Sequence, residues 1–323
     1  MVYDMNKKIL VILIGLIMIS SFYGVLAESK PHWKADTYMI YTDEMVVQFH
    51  DRTPTYRIWI PDKNETAVYI VKFNRIIEFI DSNNDGRYNG SVDSILAQAP
   101  LTAHDVWEVT ADEFNTSDGA YELRITFNGS VRVYKMGASQ PIGTGKVAFV
   151  NHIYDRDVET NGYTIEGGRE VKIDIVFSYW PWSSEDSKLA LEIVFAGMFR
   201  GHSGVPKCHR EQVQYENVQM HRIQMEGDAD YQAEFRYTEQ ARIQTQNGEE
   251  ECKVNATDEF KQSSAVTWLV YPHFNGTLIH DPSIYVGEPT GNIVDIIGSN
   301  RYVVMGLVLA AVVVVVVVIK AKK

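Results

Sequence analysis

Between residues 37 and 286 the apolar positions recur in short runs with a period of two, broken by Gly, Asn, Asp and Pro. TYMIYTDEMVVQF, TYRIWI and AVYIVKF are rich in Tyr, Ile, Val and Trp, the residues that suit a half-buried pleated surface. VKIDIVFSYW, LALEIVFAGMF, VQYENVQMHRIQM, YQAEFRY and AVTWLVYPHF continue the pattern. In YELRITFNGSVRVYKM, Leu123, Ile125 and Phe127 alternate with polar residues, Asn128-Gly129 supplies a tight turn, and Val131 and Val133 resume the alternation, which predicts a hairpin. No internal segment keeps a 3.6-residue period over three turns. The pattern predicts an all-β fold of antiparallel sandwiches. The stretch before residue 81 reads two ways. Phe73, Ile76, Ile77 and Ile80 fit a helical face, while Tyr69, Val71, Phe73, Ile77 and Phe79 fit a strand with Arg75 as the exception. The β-branched context favours the strand.

About 270 residues is long for one sandwich, so two tandem domains are expected, 34–162 and 163–285, divided where turn residues cluster from Asn161-Gly162 to Gly167-Gly168. One large double-layer sandwich is the alternative. Residues 286–301, with Pro289 and several glycines, read as a stalk.

The ends place the chain. Lys7 and Lys8 precede the apolar run Ile9 to Ile19, and Val25-Leu26-Ala27 offers small residues for cleavage, so residues 1–27 read as a secretory signal. Tyr302 to Ile319 carries no charge; as a helix it would span roughly 27 Å, close to the hydrocarbon thickness. In lipid the backbone satisfies its own hydrogen bonds only as a helix or a closed barrel, so a single valine-rich segment is expected to be a transmembrane helix at 302–319. Lys320, Lys322 and Lys323 favour a cytoplasmic tail at 320–323 and an extracellular body, a single-pass type I arrangement in the cell membrane. A lipid-anchor signal would end in its apolar tail rather than in lysines.

The exposed part, 28–300, carries 24 basic and 41 acidic residues, a net of −17. Such a surface repels nucleic acid and attracts cations. Cys208 and Cys252, the only cysteines, are expected to form a disulfide in an oxidising compartment, which would constrain the unfolded chain by roughly 4 kcal/mol. Six N-x-S/T sequons stand at Asn64, Asn89, Asn115, Asn128, Asn255 and Asn275, against about two expected by chance, which predicts a glycosylated surface.

The densest polar stretch is DSNNDGRYNGSVD at 81–93, where six of thirteen residues are Asp or Asn. Numbered from Asp81, side-chain oxygens fall at positions 1, 3, 5 and 9 (Asp81, Asn83, Asp85, Asn89), Gly86 takes position 6, and Arg87 needs only its carbonyl. Calcium takes six to eight oxygens, and alternate residues of a tightly wound loop can supply them. The stretch resembles the D-x-N-x-D-G loops of EF-hands, of dockerin modules and of calcium hairpins in some β-propellers. That resemblance implies calcium as a cofactor, held weakly, because position 12 is Val92 and the nearest carboxylate is Asp93. A calcium-ligating Asn89 would not also carry a glycan.

SYWPW at 178–182 sets Tyr179, Trp180 and Trp182 around Pro181; aromatic faces there could stack on sugars or anchor a partner, or pack the core. Trp33, Trp59, Trp107 and Trp268 are expected in the core. His273, His280 and Asp281 could ligate metal but read better as a structural turn. G-x-S-x-G and H-E-x-x-H are absent, and Gly143-Thr144-Gly145-Lys146 lacks the flanks of a phosphate loop. A non-enzymatic function is therefore expected: a calcium-stabilised surface glycoprotein for adhesion, recognition or envelope structure, with surface glycans or another surface protein as partner. A membrane-anchored enzyme acting on polysaccharide, and a subunit self-assembling into a surface layer, are the alternatives.

Overall fold

The computed structural model describes residues 30–61, 67–160, 162–199, 207–215, 218–228, 231–261 and 264–287. The expected signal segment 1–27, Asn64, most of the expected stalk and the apolar segment 302–319 lie outside these residues. Among the described residues no helix is long and apolar enough to cross a membrane. The body is all-β, and every strand pairing is antiparallel.

Strands β1 (His32–Lys34), β2 (Met39–Tyr41), β3 (Val46–Phe49), β4 (Thr55–Trp59) and β5 (Ala67–Ile80) form a meander. The other edge of β5 takes β13 (Lys188–Phe199), followed by β20 (Ser264–Tyr271) and β19 (Asn255–Lys261). The facing sheet runs β7 (Trp107–Asn115), β8 (Tyr121–Lys135), β9 (Pro141–Tyr154) and β12 (Glu170–Ser178). Beyond β12 it divides. β21 (Thr277–His280) leads to β17 (Gln240–Thr245) and β18 (Gly248–Lys253), and β22 (Ser283–Gly287) leads to β16 (Tyr231–Thr238), β15 (Val218–Asp228) and β14 (Lys207–Tyr215). β6 (Ser94–Pro100) pairs with both β5 and β8 and joins the two sheets.

The inner faces meet through aromatic side chains. Phe49 lies 4.7 Å from Phe127 and Phe73 lies 4.6 Å from Phe149, centroid to centroid, while Phe195 packs on Phe235. Tyr56 Oη donates to Asn151 Oδ1 at 2.6 Å and Asn151 Nδ2 donates to the Ile125 carbonyl at 2.9 Å, so this buried amide is satisfied. Burying each such ring contributes roughly 1.5–3 kcal/mol.

One core cluster contains residues from β3, β5, β8, β9, β12, β13, β16, β20 and β22. Strands expected in separate domains pair directly, β5 with β13 and β9 with β12. Among the described residues the expected boundary at 162 therefore separates no cores, and the arrangement matches the single double-layer sandwich. The turn residues there form a small hairpin instead: β10 (Val158–Thr160) and β11 (Tyr163–Ile165), with Gly162 and Gly168 at positive φ.

One further expectation is corrected and another, the strand before residue 81, is met. Asn128-Gly129 is not a turn; β8 runs through it, with Asn128 opposite Glu108 and Gly129 opposite Trp107. A Cβ at residue 129 would lie 2.7 Å from Trp107 Cζ3, so this glycine admits an indole ring rather than a reversal. The helical spacing near residue 73 also has a strand explanation. The β5–β13 register shifts at Asn74, which lies between Phe73 opposite Ile193 and Arg75 opposite Glu192. This bulge sets Phe73 and Ile76 on the same core and turns Ile77 and Phe79 into a second cluster.

Candidate functional site

The 81–93 loop connects β5 to β6 and folds over the outer face of β5, β13 and β20. Its anchor is Tyr88, which is buried 5.1 Å from Phe79 and 4.7 Å from Trp268. Asn84 and Gly86 adopt left-handed backbone, the conformations these residue types tolerate best. The side chains mostly bond the loop's own N–H groups. Gly86 N–H donates to Asp81 Oδ2 at 2.8 Å and Arg87 N–H to Asp85 Oδ1 at 2.8 Å. Ser82 and Asn89 N–H donate to the two oxygens of Asp93, and Ser91 N–H to Asn89 Oδ1. Asn83 Nδ2 donates to Asp85 Oδ2 at 2.9 Å.

Lys188, the first residue of β13, donates to Asp81 Oδ2 at 2.6 Å. Burial pushes the Asp81 carboxyl up, but Lys188 and the Gly86 N–H outweigh it, and the net direction is down. Asp81 Oδ1 is buried with no hydrogen-bond partner.

These observations test the fit of a cation. Among the described residues no three His, Cys, Asp or Glu side chains group as metal ligands. Asp93 and Asn89, expected as ligands, are committed to loop backbone. Asp85 and Asn83 are engaged in the same way, so Asp81 Oδ1 is the one side-chain oxygen of the expected ligand set that accepts no hydrogen bond; an oxygen that accepts one N–H keeps a lone pair, and carboxylate and amide oxygens are the donors calcium prefers.

The other expected sites disperse. Cys208 on β14 and Cys252 on β18 are free thiols, so the expected disulfide is not formed. Cys208 pairs in register with Met225 and Cys252 with Ala241, and both pack against the main core. Burial pushes each thiol up to about 11. Trp180 is buried beside Gly145, Trp182 packs on His273 and donates to the Phe274 carbonyl, and Tyr179 is 81% exposed, so the three rings form no common platform. His280 is buried between the Tyr271 hydroxyl and the Thr238 carbonyl, and burial lowers it to about 4, a neutral structural imidazole. Among the sequons, Asn89, Asn115, Asn128 and Asn275 are exposed, whereas the half-buried Asn255 turns its Nδ2 toward Gly86.

Two features were not anticipated. A line of buried polar side chains crosses the outer face of the second sheet. His152 on β9 bonds Glu122 of β8 at 2.8 Å and Asp174 of β12 at 3.1 Å; Lys172 bonds Asp174 and lies 4.0 Å from Asp281. Further along, Arg236 bonds Glu170 and Glu234, and Arg222 joins Glu234 to Glu211. The β10–β11 hairpin lies over this line: Tyr163 and Ile165 cluster with Tyr154 and Met220, and Tyr163 Oη reaches the Asp281 carbonyl at 3.5 Å. Alternation alone reads these positions as solvated, because the covering hairpin is distant in pairing from most of them.

The second feature is an open depression of about 590 Å³ lined by Asp36, Tyr38, Gln48, Phe49, Arg52 and Asp105. Tyr38 and Arg52 hold positive φ, 49° and 55°, and the Arg52 guanidinium lies 4.9 Å from the Tyr38 ring centroid. Such strain persists only where the surroundings over-determine it, and it concentrates at ligand clamps and active sites. No family model and no curated protein matches this chain.

Proposed function

We propose that the chain is a single-pass cell-surface glycoprotein, membrane-tethered through 302–319, whose body recognises glycans or another surface protein and is stabilised by calcium at the 81–93 loop. The observation that carries the recognition reading is the strained depression at Tyr38 and Arg52. Its aromatic ring, guanidinium and the acceptors of Asp36, Gln48 and Asp105 suit a polyhydroxylated ligand. Exposed Asn115, Asn128 and Asn275 support a glycosylated surface.

Recognition is favoured over self-assembly into a layer by the sheet edges. Strand β18 pairs only with β17 among the described residues and carries Glu249, Glu250 and Glu251; β7 pairs only with β8 and carries Glu108, Asp112 and Glu113. Like edges of two copies would oppose like charges.

A surface-polysaccharide array probed with the full-length chain in detergent tests the reading. Binding is expected, and Y38A with R52A should reduce it at least tenfold while leaving the melting temperature within about 2 °C. Binding that ignores the double variant overturns the assignment of the depression.

The enzymatic alternative draws on Asp174 and Asp281. Both flank Lys172; burial pushes each carboxyl up, but His152 and Lys172 carry Asp174 far below the usual range, while Asp281 stays raised. Carboxyls pushed apart in this way are the signature of acid–base pairs. Polysaccharide hydrolysis lost in D174N would favour that reading.

A further inference from the structure

The loop at 81–93 is already paired with a cation from the adjoining strand. Lys188 Nζ approaches Asp81 Oδ2 to 2.6 Å from the adjoining strand, and the Asp81 side chain is only 3% exposed. The second carboxylate oxygen is buried and accepts nothing, an arrangement that leaves a desolvation cost unrelieved. Lys188 itself is 28% exposed, and its four-carbon stem can swing the ammonium into water without moving β13.

We propose that Lys188 is a tethered competitor for the loop's cation site: its ammonium neutralises Asp81 when calcium is scarce and is displaced when calcium binds. The inference rests on the calcium reading of the loop. A divalent ion and an ammonium cannot both sit against one buried carboxylate, since like charges at that separation repel strongly in a poorly solvated site. Calcium gains the orphaned Oδ1 and the oxygens of Asn83 and Asp85, whereas Lys188 uses Oδ2 alone. The exchange raises the apparent dissociation constant without changing the shape of the isotherm and sets affinity on the weak side, suited to roughly millimolar concentrations. It also exchanges what secures the loop, from a link to β13 for a link within the loop.

The test is calorimetric titration of calcium chloride into the full-length, detergent-solubilised chain, alongside K188M, K188Q and K188R. Removing the tethered charge should tighten binding roughly tenfold in both K188M and K188Q. K188R should stay near the parent. The calcium-induced rise in melting temperature should grow in K188M and K188Q and vanish in D81N. If the parent binds calcium and neither neutral variant binds more tightly, the competitor role is wrong while the calcium loop stands. If neither the parent nor the neutral variants bind, the calcium reading fails and takes the competitor with it. Two neutral variants are used so that a folding defect in one leaves the comparison intact.

Discussion

His152 shows most directly what a single residue does here. Its two ring nitrogens meet Glu122 and Asp174 on the flanking strands, which requires both nitrogens to donate. Burial opposes the charged ring, but the two carboxylates outweigh it and raise His152 above its ordinary 6.5, with Lys172 working the other way. Its contribution to stability is fully present below 6.5 and is lost as pH rises through the higher folded value. Burial likewise works against Glu122 and Asp174, and their partners carry both downward. Their contribution is present above the ordinary carboxylate values and is lost only as the pH falls well into the acid range. Between pH about 6 and about 9 the melting temperature should therefore fall about 2–4 °C more for the parent than for H152Q, measured by circular dichroism. Parallel slopes would mean the imidazole is neutral throughout. This residue was invisible in the sequence because its partners lie 30 and 22 positions away. Asp81 and Asp85 were visible because the spacing that makes their loop is local.

At the scale of elements, β5 carries the clearest lesson. Its apolar residues switch face at Asn74, so a spacing of three reads as helix although the backbone is extended. Inserting one alanine after Arg75, beyond the bulge at Asn74, would slip the second half of β5 by a residue and exchange Ile76 with Ile77, and Glu78 with Phe79, between faces. Glu78 now accepts from Ser183 and Ser184 N–H and from the Ser187 hydroxyl, partners it would lose on the opposite face. A loss of more than about 4 kcal/mol is expected, seen as a non-cooperative urea transition. Retention of a sharp transition at the parent midpoint would show that the facing of the second half of β5 is dispensable. The hairpin expected to turn at Asn128-Gly129, which is instead the single strand β8, fails for a related reason. The Asn-Gly pair satisfied turn chemistry, but the true turn lies at 116–120, with Gly119 at positive φ, and Gly129 serves the Trp107 ring.

At the scale of the whole molecule, two sheets share one core that draws on strands from both ends of the described chain. Neither 28–162 nor 163–300 holds a complete face: β5 lacks β13 in the first, and β12 lacks β9 in the second. Each fragment expressed alone should give no cooperative thermal unfolding, whereas co-expression should restore it. A cooperative melt from either fragment alone would establish an independent domain. The alternation of apolar and polar positions determined the all-β class, since a period of two suits only an extended backbone. The Asp/Asn spacing likewise determined a tight polar loop at 81–93. Tertiary structure alone decided that the two halves share a core, that Cys208 and Cys252 remain apart, and that the polar line at His152 is buried. Each of those depends on which distant strands become neighbours, and local spacing along a chain carries no record of the partner across the sheet.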